Sequence, residues 1–248
     1  MEFTNETKVK DVALSNSENR RVLEQAGIDY CCGGARSLRE ACGKAGAVAD
    51  DILARLNENA TQGSPGNENW QAAPLADITR YVREKHHRYV RDAILRVRAL
   101  LEKVLAKHGD NHSELALIEH LFQEVSREMI MHMQKEEQIL FPYIDAMERA
   151  YEERFEIEPP FFQTVRNPVS AMMREHDAAG ELVRQIHVAS LGYTPPAEAC
   201  TSYKALYDDL KQFEEDLHLH VHLENNVLFP RALDLENRAR LRRPYVND

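Results

Sequence analysis

Glycine is scarce here, with ten in 248 residues, while Leu, Ala, Glu and Arg are abundant, a balance that suits helices rather than sheets. Long apolar runs are missing, and no stretch approaches the ~20 residues that span a bilayer. The opening Met1-Glu-Phe-Thr-Asn-Glu6 lacks the basic start and apolar segment of a signal peptide, so the expected location is cytoplasmic, with no membrane association. Basic stripes are missing too. The formal charge is −10 and Lys and Arg are evenly spread, which excludes a nucleic-acid surface. Four cysteines, at 31, 32, 42 and 200, are too few for a secreted disulfide scaffold. In a reducing compartment the adjacent Cys31 and Cys32 point to reactive or metal-handling thiols.

Hydrophobic residues make up 43% of the chain, enough for a sizeable core. Residues 1–58 read as a small helical domain. Ser17 is the expected cap of a helix ended by Gly27, Ser37 of one stopping near Gly46, and a third runs from about Val48 to Leu56. Between the first two lies Asp29-Tyr-Cys-Cys-Gly-Gly34, whose glycines free the backbone to turn. The Cys pair precedes a helix N-terminus, which would favour thiolate if the loop brings the thiols close. Residues 57–69 contain no aliphatic larger than Ala, and 59–73 form the expected linker. From 74 to 248 four long helical patterns follow. The first runs from after Pro74 to about Lys107 and the second from about Ser113 to Pro142 or beyond. The third begins at Asn167-Pro168, with Asn as cap, and fades before Gly192; the fourth runs from after Pro195-Pro196 to Pro230 or a little past it. Residues 150–162 read as an irregular crossover.

One stretch occurs twice: His132-x-x-x-Glu136…Leu-Phe-Pro142 and His220-x-x-x-Glu224…Leu-Phe-Pro230. Four residues on a helix put imidazole and carboxylate on one face, with Cβ atoms about 5–6 Å apart, within reach of one metal ion. The three-four apolar seams of the four patterns carry these residues inward. They read His87, Val90, Ile94, Val97, Leu101, Val104; then Ile118, Leu121, Val125, Met129, His132, Glu136, Ile139, Tyr143. The third reads Val169, Met172, His176, Ala179, Val183, Ile186, and the fourth Tyr203, Leu206, Leu210, Phe213, Leu217, His220, Glu224, Val227. His86, His218 and His222 fall off the seams.

Four His and two Glu in one core would each cost a few kcal/mol if left unpaired, and a shared metal centre satisfies all six. His87 precedes His132 by 45 residues and His176 precedes His220 by 44, so two helix pairs each supply a lone His and a His-x-x-x-Glu. Related by a pseudo-twofold, they give two metal positions, each with two imidazoles, and with both carboxylates between them. This donor set excludes Ca²⁺ and a closed zinc tetrahedron; with a bridging oxygen it fits a non-haem di-iron centre ahead of a di-manganese one. Glu128 and Glu175 are candidate partners of the ligands or of bound water.

The Asp29–Gly34 turn, the linker, Arg174-Glu-His-Asp177 and the two His-x-x-x-Glu…Leu-Phe-Pro stretches together resemble the RIC family (repair of iron centres) of di-iron proteins. The bundle alone resembles the wider hemerythrin-like class. The resemblance implies an all-α fold, a hemerythrin-like four-helix bundle after a small helical N-terminal domain. It also implies two iron ions, oxo- and carboxylate-bridged, on His87, His132, Glu136, His176, His220 and Glu224. The implied function is repair of iron–sulfur clusters damaged by nitric oxide or peroxide, with iron supplied from the bundle and Cys31 and Cys32 assisting transfer or redox change. Its partners would be damaged iron–sulfur proteins or a cluster-assembly scaffold. Reduction of nitric oxide to nitrous oxide, and oxygen binding or sensing, stay open as alternatives, as does a homodimer through the N-terminal domain.

Overall fold

A computed structural model describes residues 2–60, 70–156, 158 and 160–241, with only the backbone at Ala60 and Leu241. Eight helices account for it: α1 (Val9–Ser15), α2 (Ser17–Gln25), α3 (Leu38–Ala45), α4 (Ala49–Ala60), α5 (75–108), α6 (114–153), α7 (Arg166–Ala189) and α8 (201–241). No strand occurs among the described residues; Lys8 and Ser37 form an isolated antiparallel bridge. The protein is all-α, a four-helix bundle of α5–α8 preceded by a small helical part. No described helix is long and apolar enough to cross a membrane.

Contacts divide the chain into two compact units, Met1–Ala73 with Val221–Pro230, and Pro74–His220 with Arg231–Asp248. The division falls inside α8, a continuous helix that serves both. In the first unit Val9, Val12, Leu23, Leu38 and Leu56 form a fully buried core. Ser37 does cap α3, with Glu40 completing a reciprocal capping box, and Gly46 closes it at φ +70°. Other boundaries depart from the sequence reading. α1 was not expected, and Asn16 rather than Ser17 caps α2, accepting from the Asn19 N–H at 2.7 Å. α4 runs on to Ala60, and Val48, expected on its apolar face, is exposed. Of the linker assigned to 59–73, residues 61–69 lie outside the described residues.

In the second unit the seams set the packing. Every seam residue of α5, α7 and α8 is buried, each apolar one contributing about 1.5–3 kcal/mol. In α6 the seam holds through Glu136 and then fails: Ile139 is exposed, and Leu140, Phe141, Ile144 and Met147 are buried instead. The cause is a π-helical turn at Glu136–Leu140, whose extra residue moves the buried face on by one position. α5 has such a turn at Val82–His87 and α8 at Glu224–Leu228. Pro142 comes two residues after the α6 turn, at the start of the helical segment that follows it, where a residue without an N–H removes the least from the helix ladder.

The first helix of each pair starts on a carboxylate from another helix. Glu148 accepts the backbone N–H groups of Leu75 (2.7 Å) and Ala76 (2.9 Å). Glu236 accepts the Val165 N–H (2.8 Å) and the Thr164 hydroxyl (2.5 Å). These anions serve the unpaired N–H groups and the positive end of the helix dipole. Asn167 is therefore not the cap of α7; it lies inside the helix and donates its Nδ2 to the Phe162 carbonyl at 2.9 Å.

Candidate metal centre

His87 ends the π turn of α5, while Glu136 and Glu224 open those of α6 and α8. His132 and His220 lie one α-turn before the two carboxylates, and His176 is central in α7. The structure brings all six side chains together in two overlapping groups. One holds His87, Glu136, His220 and Glu224, the other His132, Glu136, His176 and Glu224, and within each the donor atoms lie within 4.8 Å of one another. Both carboxylates belong to both groups. Glu136 Oε2 is 3.3 Å from His87 Nε2 and 3.3 Å from His132 Nε2, and the Nε2 atoms of His132 and His176 are 3.0 Å apart.

None of the six is more than 1% exposed. Two buried carboxylates against four imidazoles form a cluster that a cation would stabilise strongly. His87 Nε2 tests this, since it is buried, makes no hydrogen bond, and faces the carboxylate shared by both groups. A metal ion satisfies that atom; the residues present fit one.

Hydrogen bonds on the far side of two imidazoles set their tautomers. His87 Nδ1 lies 2.7 Å from Glu137 Oε1, and His132 Nδ1 lies 3.0 Å from Glu175 Oε2. Each carboxylate is paired with a cation, Glu137 with Arg91 (2.9 Å) and Glu175 with Lys135 (2.5 Å). Burial pushes Glu137 up, but the hydrogen bonds from His87 and Arg91 outweigh it and leave the group lowered. Glu175 is pulled down to about 2, first by the hydrogen bond from His132, against burial, with Lys135 adding. Ionised acceptors on Nδ1–H leave the Nε2 lone pairs aimed at the cluster.

Glu175 was a sequence candidate; Glu137 was not. It follows the Glu136 donor position directly, one residue off the apolar seam, and its pairing with His87 crosses from α6 to α5, which spacing along one helix does not reveal. Glu128 is half-buried and makes no hydrogen bond or ion pair with a described residue. His86 and His222, both off the seams, are nonetheless buried. His86 stacks parallel to His220 (centroids 5.5 Å apart, 9° between planes) and its Nδ1 lies 2.9 Å from Asp216. His222 Nδ1 lies 3.3 Å from the Tyr30 carbonyl.

The Cys31–Cys32 turn is held by other means than glycine flexibility. A Cβ on Gly33 would fall 2.6 Å from the Asp29 carbonyl, and one on Gly34 would fall 2.6 Å from Asn226 Oδ1. These glycines permit close approach. Nor do the thiols sit on a helix terminus, because α3 begins only at Leu38. Cys31 is held well above its ordinary value, first by its contact with Cys32, then by burial and the charges of Cys32 and Asp29. The expected thiolate stabilisation by a helix dipole is thus absent.

Four long helices that bring shared His and Glu donors together define a hemerythrin-type cation-binding bundle, and residues 77–232 match the Hemerythrin HHE cation binding domain. Residues 5–60 match a domain of unknown function (DUF542) that bears the name of the ScdA N-terminus. The iron-sulfur cluster repair proteins YtfE of Salmonella paratyphi B and Salmonella newport are each 36% identical over 223 residues, 90% of this chain and 94% of theirs. The chain belongs to the RIC family, the YtfE type of hemerythrin-like proteins.

Proposed function

We propose that the chain repairs iron–sulfur clusters damaged by nitrosative or oxidative stress, in the cytoplasm, by supplying iron. In this reading two iron ions, oxo-bridged, share the Glu136 and Glu224 carboxylates. His87 and His220 hold one ion, His132 and His176 the other. The observation that carries the reading is the pair of overlapping donor groups with both carboxylates in common. The relatives' name supplies the client class, damaged iron–sulfur proteins.

When bound, the ions supply a redox-active pair from which iron can be passed on as cargo. The protein's own part is positional and electrostatic. Glu137 and Glu175 keep protons on the Nδ1 atoms of His87 and His132, so their Nε2 atoms act only as donors to metal. Phe141 stacks on His87 at 5.8 Å, and it is fully buried, as are Met129 and Met133, which flank His132 along α6. Cys31 and Cys32 take part in transfer.

The deciding experiment is reactivation of a nitrosylated cluster enzyme by the iron-loaded chain, with nitrous oxide measured in parallel. Reactivation in step with iron loss from the chain is expected. Nitrous oxide without reactivation would replace repair by nitric oxide reduction, and reversible oxygen binding with neither would make the protein an oxygen binder.

A further inference from the structure

Asp29, Cys31 and Cys32 form a second group of ligand-type side chains, with donor atoms within 4.8 Å of one another. Its chemistry differs from that of the bundle in both donor type and exposure. The Sγ atoms are 4.0 Å apart, and Cys31 Sγ is 3.3 Å from Asp29 Oδ1. A disulfide needs about 2.05 Å between sulfurs. Two thiolates on one tetrahedral ion with ~2.3 Å bonds stand about 3.8 Å apart. The observed 4.0 Å is far from the first and within about 0.2 Å of the second.

The spacing is also built in. Asp29 Oδ1 accepts the N–H groups of Cys31 (3.1 Å) and Cys32 (2.9 Å), fixing the carboxylate beside both thiols. Asn226 Nδ2 donates to the carbonyls of Tyr30 (3.3 Å) and Cys31 (3.1 Å), clamping the backbone from α8. With both thiols ionised, three negative charges would share this small volume against the single guanidinium of Arg36, 3.8 Å from Asp29 Oδ2, an arrangement that a further cation would stabilise. Asp29 and Cys32 are exposed, and three protein donors leave the rest of a coordination shell to solvent or to an acceptor.

We propose that Asp29, Cys31 and Cys32 are a second metal site, an open seat for one thiophilic divalent cation, with ferrous iron in transit as its occupant. The occupant rests on the repair reading above; the site does not. On binding, the cation gains two sulfur bonds and a carboxylate bond, the two thiol protons leave to solvent, and no electron moves. On release to an acceptor the thiols take up two protons again.

The test uses the full-length chain with its bundle loaded with iron, in a Cys200→Ser background and under anaerobic conditions, with Cd²⁺ as the probe. One Cd²⁺ per chain should bind without loss of iron, and X-ray absorption at the cadmium edge should show two sulfur neighbours plus oxygen. A shell of nitrogen and oxygen alone would overturn the site in the unaltered loop, whatever the variants do. Losing even an outer partner of a metal ligand costs about 10–100-fold in affinity, so removing a sulfur ligand itself by Cys31→Ser or Cys32→Ser should weaken Cd²⁺ binding by at least about 100-fold, and Asp29→Asn, which keeps an oxygen donor, by at least about tenfold. Unchanged binding in the folded Cys31→Ser/Cys32→Ser chain would likewise sink it. Reactivation of the nitrosylated enzyme is then measured on the same variants. Two-sulfur binding with full repair by the double variant leaves the site standing and removes iron transit; no repair by the parent chain removes the repair reading alone.

Discussion

One half of the bundle contributes His87, His132 and Glu136, the other His176, His220 and Glu224, and the correspondence continues outward. Glu148 and Glu236, each twelve residues past its buried Glu, both cap the opening helix of a pair. The halves part company one residue from the donors. Glu137, behind His87, corresponds to Asn225, whose Nδ2 instead reaches the Cys31 carbonyl at 3.5 Å. Glu175, behind His132, corresponds to His86, which stacks on His220. The duplicated elements, donors and caps, are those that each half needs equally. The supporting carboxylates are not repeated between the halves, and at one of the corresponding positions Asn225 contacts the thiol loop instead.

Removing a shared donor should produce the largest effect. Glu136→Ala and Glu224→Ala should each lower iron from about two per chain to one or none by elemental analysis, because each carboxylate belongs to both donor groups. A large difference between the two would break the equivalence of the halves. Next come the supporting carboxylates: Glu137→Gln and Glu175→Gln should each cost about 10–100-fold in iron affinity in a chelator competition. Asn225→Ala, at the position corresponding to Glu137, should leave that affinity unchanged. Glu148→Ala and Glu236→Ala should each cost about 1 kcal/mol of stability, by analogy with lost caps. In a bundle of this size that is a fall of about 2–4 °C in Tm, readable by calorimetry. The smallest effect should come from His218→Ala and His222→Ala, which should retain full iron; loss of metal from either would mean that the seams select the wrong imidazoles.

Seams made most of this legible before any coordinates. Ligand-type residues at apolar-seam positions, repeated in two helix pairs, were enough to choose six side chains that do meet in one core. Much of what stayed hidden depends on partners that sequence spacing cannot pair. Glu148 and Glu236 cap helices more than 70 residues away, and Asn226 clamps a loop almost 200 residues upstream. Periodicity also assumes one helical pitch. It placed Ile139 and Tyr143 on the core face, where the turn at Glu136–Leu140 puts Leu140 and Ile144. The helix α1 escaped because its seven residues are too few for a repeating pattern.

The π turns have a mechanical consequence. An additional residue within a turn advances all that follows by about 100° around the axis. Each of the three helices with such a turn therefore has two phases, one before the turn and one after it, and His87, Glu136 and Glu224 sit at the phase boundaries, whereas α7 keeps a single phase. A deletion of one residue between 137 and 140 would leave every donor in place in the sequence, yet swing Phe141 and Ile144 off the core and Ile139 onto it. Length in these segments is consequently as constrained as residue identity.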